Sequence, residues 1–246
     1  MPKKYKNPPL LEAVCEFRFV RQSPWDLSMP GLMYKKFETR FPNKKQVKEV
    51  DYLIRVGGQA GPIQEIKTRE RLQLLVEDEK EIIQVGEHLL SINRLSPYSS
   101  WEEFFPLIKE ALAAYREIAA PDAFERVGLK YVNKIQIPQA PFQFEHFFDF
   151  YPSLGERLPQ EHGPFFMGLD FSFDKDRDRL RLEITNGKTV KPENSIIFLT
   201  LDYNSTDREI LNFAKIEDWL KCAHDRIEEV FEGCLKEPSR ELFGQF

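Results

Sequence analysis

The sequence predicts an α+β protein of two pseudo-repeats, each strand, helix, three strands, helix, forming antiparallel sheet that is saddle-like or barrel-like and backed by two long helices. Three observations predict it. Short runs alternate apolar and polar residues between turn signals. Two amphipathic stretches, opening on Trp101 and Trp219, have helical spacing. The order of elements then returns about 117 residues further on.

The elements follow in chain order. In LEAVCEFRFV, Ala13, Cys15, Phe17 and Phe19 alternate with Glu12, Glu16 and Arg18, the pattern of a half-buried strand. PGLMYKKFETRF starts at Pro30, which a first helical turn tolerates, and spaces Leu32, Met33, Phe37 and Phe41 for a helix that stops at Pro42. Strands are expected near 50–56, 69–76 and 81–94, separated by GGQAGP and EDEK. Ser100 and Glu103 have capping-box spacing ahead of WEEFFPLIKEALAAYREI, in which Trp101, Phe104, Phe105, Ile108, Leu112 and Tyr115 make an apolar stripe.

After Pro121 the order begins again. ERVGLKYVNKIQI carries Val127, Leu129, Tyr131, Ile135 and Ile137 on one side and Lys130 and Lys134 on the other. FQFEHFFDFYP is a short helix candidate, and FFMGLDFSF with RLRLEIT makes a hairpin around DKDRD. SIIFLTLDY is a further strand, and KIEDWLKCAHDRIEEVFEGCL a long helix burying Ile216, Trp219, Leu220, Ala223, Ile227, Val230 and Phe231. Residues 1–120 and 121–246 are thus two α+β repeats, packed intimately and equally readable as one domain. Hairpin-linked strands pair antiparallel, and each long helix needs an apolar surface for its stripe.

Composition narrows the function. A chain of 246 residues can bury a core without disulfide or metal staples. No apolar run reaches the roughly 20 residues that span a bilayer, so no membrane partner is expected. MPKKYKNPPLLEAV lacks a signal peptide's apolar segment, and Cys15, Cys222 and Cys234 include no CxxC pair. A cytoplasmic protein without a disulfide framework or zinc knuckle follows. The net charge of −5 argues against a whole-protein grip on nucleic acid. Locally, Lys35, Lys36, Arg40, Lys44, Lys45 and Lys48 face the single acid Glu38 in YKKFETRFPNKKQVK. This candidate basic patch keeps nucleic acid as a lesser reading beside a solvated helix face and turn.

The chemistry-bearing residues gather, by alternation, on the sheet face opposite the helices: Glu12, Glu16, Arg18, Lys130, Lys134, Arg181 and Glu183. Carboxylates there can hold a divalent ion while Arg and Lys hold an anion. Tunnel-type triphosphate hydrolases use strands in this way, but their acid-x-acid-x-lysine strand is absent, since Glu12 is followed by three residues, Glu16, then Arg18. The plainer reading is an outer face kept soluble by cross-strand ion pairs worth about 0.2–1 kcal/mol each.

Phenylalanine, 21 in all, concentrates in PFQFEHFFDFYP and FFMGLDFSF. Alternation assigns Phe165, Phe171 and Phe173 to the core, and a helical stripe assigns Phe144, Phe147, Phe148 and Tyr151. Any remainder would mark a groove or a protein-binding surface. His88, His146, His162 and His224 form no HxxxH or HExxH, so no metal site is expected, and His224 reads as a structural histidine flanking a helix stripe. GxSxG, GxxxxGK[ST] and GxGxxG are absent, and Cys15 alternates with the buried Phe17. The reading leans away from an enzyme, towards a binding or protein-interaction protein whose partner is another protein or a second copy, with no cofactor. The alternative is a phosphohydrolase or nucleotide-binding protein using Mg²⁺ or Mn²⁺ on the polar sheet face.

NPPLLEAVCEFRF at the start, RVGLKYVNKI in the middle, and WLKCAHDRIEEVFEGCL followed by RELFG at the end carry a resemblance over essentially the full length. They resemble a sporadically distributed family of uncharacterised prokaryotic proteins of about 250 residues. The matching residues are Pro8, Pro9, Glu12 and Glu16, then Arg126, Gly128, Tyr131 and Asn133, then His224 and Phe231. The resemblance implies a bacterial or archaeal cytoplasmic origin and no particular activity. Patchy distribution of this kind is associated with mobile or defence-type gene neighbourhoods.

Overall fold

The computed structural model describes residues 5–20, 25–55, 63–159, 163–189, 191–209 and 211–244, with the side chains of 49–55 and 63–69 left undescribed. The first half holds β1 (Leu10–Phe19), α1 (Met29–Phe37), β2 (Asn43–Arg55), β3 (Ile63–Leu75), β4 (Glu81–Gly86), β5 (Leu89–Leu95) and α2 (Trp101–Ala119). The second holds β6 (Phe124–Ile137), α3 (Phe144–Phe147), β7 (Phe166–Phe173), β8 (Asp178–Gly187), β9 (Ser195–Ser205), α4 (Ile216–Cys234) and α5 (Glu237–Phe243). The GGQAGP turn and His162 lie outside the described residues. No described helix is long and apolar enough to cross a membrane.

The nine described strands form one antiparallel sheet in the order β2-β3-β4-β5-β1-β6-β9-β8-β7. The sheet is open, with β2 and β7 at its edges, so the barrel alternative does not form. At its middle β1 pairs with β6, placing Cys15 opposite Leu129, Phe17 opposite Val127 and Glu16 opposite Gly128. Because the pleat alternates, this register puts the apolar positions of both strands on one face and the charged positions on the other.

The expected single strand over 81–94 is two strands, turned at Glu87 and His88, where His88 takes a positive φ of 53°. Among the described residues, 1–120 therefore carry five strands against four in 121–246, and the strand-helix-three strands-helix order does not describe the first half. Apolar residues continue on both sides of that turn, so alternation alone gave no sign of the reversal. The Lys44–Lys48 part of the basic stretch is strand rather than helix and turn. Ser100 does precede α2, but its side chain makes no cap, and Glu103 reaches Arg94 instead at 2.9 Å. The FQFEHFFDFYP helix is one turn long, and α5 closes the chain as an additional element.

The core lies between the apolar sheet face and the helices: α2 packs on β5 and against α1, and α4 packs on β9 and β6. Phe17 and Leu129 are fully buried at the middle of the sheet. Phe19 stacks on Tyr115 of α2 at 4.5 Å, and Tyr203 of β9 meets Trp219 of α4 at 5.7 Å. Under α4, the fully buried Asp178 accepts from Arg177 at 2.6 Å, Tyr203 Oη at 3.0 Å and Trp219 Nε1 at 3.2 Å. Burial opposes its charge, yet these donors outweigh that cost and hold its carboxyl below the usual range.

Candidate functional site

On the polar face, six adjacent strands from β3 to β9 wall a cavity of about 590 Å³. Glu12, Glu16 and Arg18 enter it from β1, Lys130 and Arg126 from β6, Arg71 from β3 and Asp202 from β9. Neutral hydrogen-bonding groups come from Gln84 of β4 and from Ser91 and Asn93 of β5. These residues meet because β5, β1, β6 and β9 are sheet neighbours whose alternate side chains share a face.

Glu16 anchors the charge network. It accepts from Arg18 Nε at 2.7 Å and Arg126 Nη1 at 3.2 Å, and Arg126 also reaches Asp202 at 3.2 Å. Gly128 makes room for this guanidinium, since a Cβ there would stand 3.0 Å from Arg126 Nη1. Glu12 accepts from Asn93 Nδ2 at 2.8 Å, and Asn93 Oδ1 accepts from Gln84 at 2.8 Å and Ser91 at 3.1 Å. Lys130 makes no hydrogen bond or ion pair with a described residue. The wall thus offers four cationic side chains against three carboxylates, in a protein whose net charge is −5.

Of the seven residues expected on this face, Glu12, Glu16, Arg18 and Lys130 share the cavity, and three do not line it. Lys134 is exposed further along β6, opposite Phe198. Arg181 and Glu183 pair with each other at 2.6 Å on β8, and Arg181 also meets Asp170 at 3.1 Å. Alternation in the sequence does not single out Arg71 or Asp202, and Arg126 stands out there only through the family resemblance. Arg126 and Asp202 share the alternation of Lys130, but only the pairing of β6 with β9 brings them together.

The basic stretch is largely neutralised. Lys35 pairs with Glu38, Lys36 with Glu117, Arg40 with Glu81 and Glu110, Lys45 with Glu79, and Lys48 with Glu70. Lys44 lies over the Tyr34 ring at 4.1 Å. Its acidic partners are distant in the chain, which is why local sequence showed Glu38 alone.

The opposite face of β6 borders a second cavity, of about 430 Å³, between the Pro8–Pro9 segment, the start of α2, and α4. Here Tyr131 Oη lies 2.9 Å from His224 Nδ1, and His224 Nε2 lies 3.3 Å from Glu228 Oε1. With Glu228 ionised, Nε2 carries the proton and Nδ1 accepts from Tyr131, since a carboxylate only accepts. Trp101 stacks on the His224 ring at 4.4 Å. Burial pushes His224 down to about 4 and, with the Asp225, Glu102 and Glu232 carboxylates, pushes Glu228 up to about 7. Burial also raises Tyr98 and Tyr131. The Tyr98 hydroxyl is buried beside the Tyr131 hydroxyl, which bonds His224, and it has no partner in strict hydrogen-bond geometry.

Aromatic residues also line a wider groove of about 870 Å³, where Phe144 meets Phe142 at 4.5 Å and Phe165 at 5.2 Å. Phe147 and Phe148 are buried, whereas Phe171, expected in the core, is 39% exposed. It faces the helix side of β7, two strands out from β9, beyond the strands that α4 covers. Cys15 is buried, and burial holds its thiol well above the usual range. Among the described residues no three His, Cys, Asp or Glu side chains are grouped to hold a metal.

The fold and cavities define an α+β protein with an open antiparallel sheet and a polar, cation-rich hollow on one face. No protein-family model, curated protein or solved structure matches the chain.

Proposed function

We propose that this chain is a non-enzymatic binding protein whose ligand is a small molecule bearing an anionic group, held on the polar face of the sheet. The observation that carries the reading is the uncommitted Lys130 beside Arg18, Arg71 and Arg126 in one cavity, where Glu16 and Asp202 hold guanidiniums and Glu12 accepts from Asn93. Held guanidiniums suit planar anionic groups, and Lys130 adds a mobile point charge. Four residues of the resemblance to the prokaryotic family, Glu12, Glu16, Arg126 and Gly128, belong to this hollow. That shared placement is consistent with membership of such a group.

Calorimetric titration with inorganic phosphate and pyrophosphate tests the reading. Binding is expected to weaken about tenfold in Lys130→Ala, equivalent to about 1.4 kcal/mol. Absence of binding at about 1 mM, or an unchanged Lys130→Ala, would overturn it. The Mg²⁺- or Mn²⁺-dependent nucleotide reading would use the same hollow, although Glu12, Glu16 and Asp202 are not grouped there to hold a metal. Divalent-dependent phosphate release from a nucleoside triphosphate favours that alternative.

The partner we infer is a second copy of this chain, met at the β7 edge, where Leu169 is 48% and Phe171 39% exposed. The two halves are also read as one duplicated plan. Outward from the central pair, β5, β4 and β3 follow β1 as β9, β8 and β7 follow β6, with β2 as the addition.

A further inference from the structure

The cavity beside Tyr131 is separate from the anion hollow, because Tyr131 and Asn133 line the one while Gly128 and Lys130 line the other across β6. We propose that it is a second ligand site, for a small organic ammonium ion, with Glu228 and the Tyr98 hydroxyl as polar partners and aromatic side chains as its wall.

The charge of the wall has the opposite sign to that of the sheet face. Glu102, Glu228 and Glu232 border it with Lys6 as the cation. Glu232 is engaged by Tyr5 Oη at 2.6 Å and Arg240 Nε at 3.1 Å. Glu228 faces His224 through one oxygen, at 3.3 Å, and burial keeps that ring neutral. A primary ammonium has three N–H donors, for which a carboxylate and a phenol oxygen are both acceptors, so one ligand group suits a cavity lined by Glu228 and Tyr98. An anion would meet three carboxylates, and an apolar molecule would leave Tyr98 unsatisfied. Trp101, which stacks on both His224 and Phe105, borders the space together with Tyr98 and Phe231. About 430 Å³ lies within the range of small-molecule sites and admits an arylalkyl amine.

Protonation of Glu228 competes with the ligand. Around it stand His224, Asp225 and Glu232 of its own helix, Glu102 of α2, Tyr131 of β6, Tyr98, Tyr5 and Lys6 of the neighbouring segments, and Arg240 of α5 beyond Glu232. Burial and the three carboxylates Asp225, Glu102 and Glu232 hold its proton on up to about pH 7. Affinity for a cation is therefore full above that pH and falls below it, about tenfold per pH unit.

Calorimetric titration of the full chain with phenethylamine, whose ammonium stays charged from about pH 6 to about pH 8, tests the proposal. Binding stronger than about 1 mM is expected at the higher pH, weakening about tenfold at the lower. Tyr98→Phe removes a hydroxyl that lies beside Tyr131 without strict hydrogen-bond geometry, and Tyr131 keeps His224 as its partner, so the variant is expected to keep the parent's melting temperature while losing about fivefold in affinity. Glu228→Gln is expected to lose about tenfold in affinity and all pH dependence. Lys130→Ala is expected to bind the amine as the parent does, so failure here and failure of the anion reading are told apart in one variant. No binding at about 1 mM, equal binding of benzoate, parent-like affinity in Tyr98→Phe, or loss in Lys130→Ala would each overturn the assignment.

Discussion

Asp178 illustrates how a single buried charge is made tolerable. Its carboxylate is surrounded by donors from Arg177, Tyr203 and Trp219, so it joins β8, β9 and α4 in one contact. Asp178→Ala is expected to cost about 3 kcal/mol in chemical denaturation, because two buried donors lose their acceptor. Its folded pKa lies below the unfolded value, so the stability it adds is present above about pH 4 and is lost as pH falls through the folded value. His224 and Glu228 behave differently, since their pKa values are driven towards each other's ordinary range, to about 4 and about 7. Between about pH 4.5 and about pH 6.5 the unfolded chain carries their one proton on the histidine and the folded chain carries it on the glutamate. Protons bound are then equal, and the pair leaves stability almost independent of pH across that window.

Among the elements, the two sheet edges are treated differently. β2 presents Lys44, Lys45 and Lys48, charges that discourage edge pairing with another chain. β7 presents Phe166, Leu169 and Phe171, exposed by 61%, 48% and 39%, beside a backbone edge that pairs with no further described strand. Light scattering after size exclusion is expected to give a dimer for the parent and a monomer for Leu169→Lys. A parent that stays monomeric at high concentration would remove the second copy from the reading. The same edge explains why alternation misplaced Phe171. Period two fixes which face a side chain takes, but a helix must lie over that face to bury it.

Over the whole molecule, charge is distributed by partner rather than by sequence run. The stretch from Lys35 to Lys48 looks basic in one dimension, yet Glu70, Glu79, Glu81, Glu110 and Glu117 come to it from other elements. Gel retardation with duplex DNA at about 150 mM salt is therefore expected to show no shift, as few cations remain to displace counterions. A salt-sensitive shift abolished by Lys44→Glu would reverse that conclusion. By contrast Glu12, Glu16, Arg18 and Lys130, far apart in the chain, gather in a single hollow because β1 and β6 pair at the centre of the sheet.

The sequence alone determined the α+β class, the two long helices, and which face of β1, β6 and β8 is polar. These follow from periods of two and of about 3.6 residues, which are local properties of strand and helix. Tertiary structure alone decided that Arg71, Arg126 and Asp202 join Glu16, that the chain reverses at His88, and that Tyr98 stands near His224 and Glu228. Register between strands distant in the chain is chosen by the burial of all the apolar faces at once, and no local window of residues contains that choice.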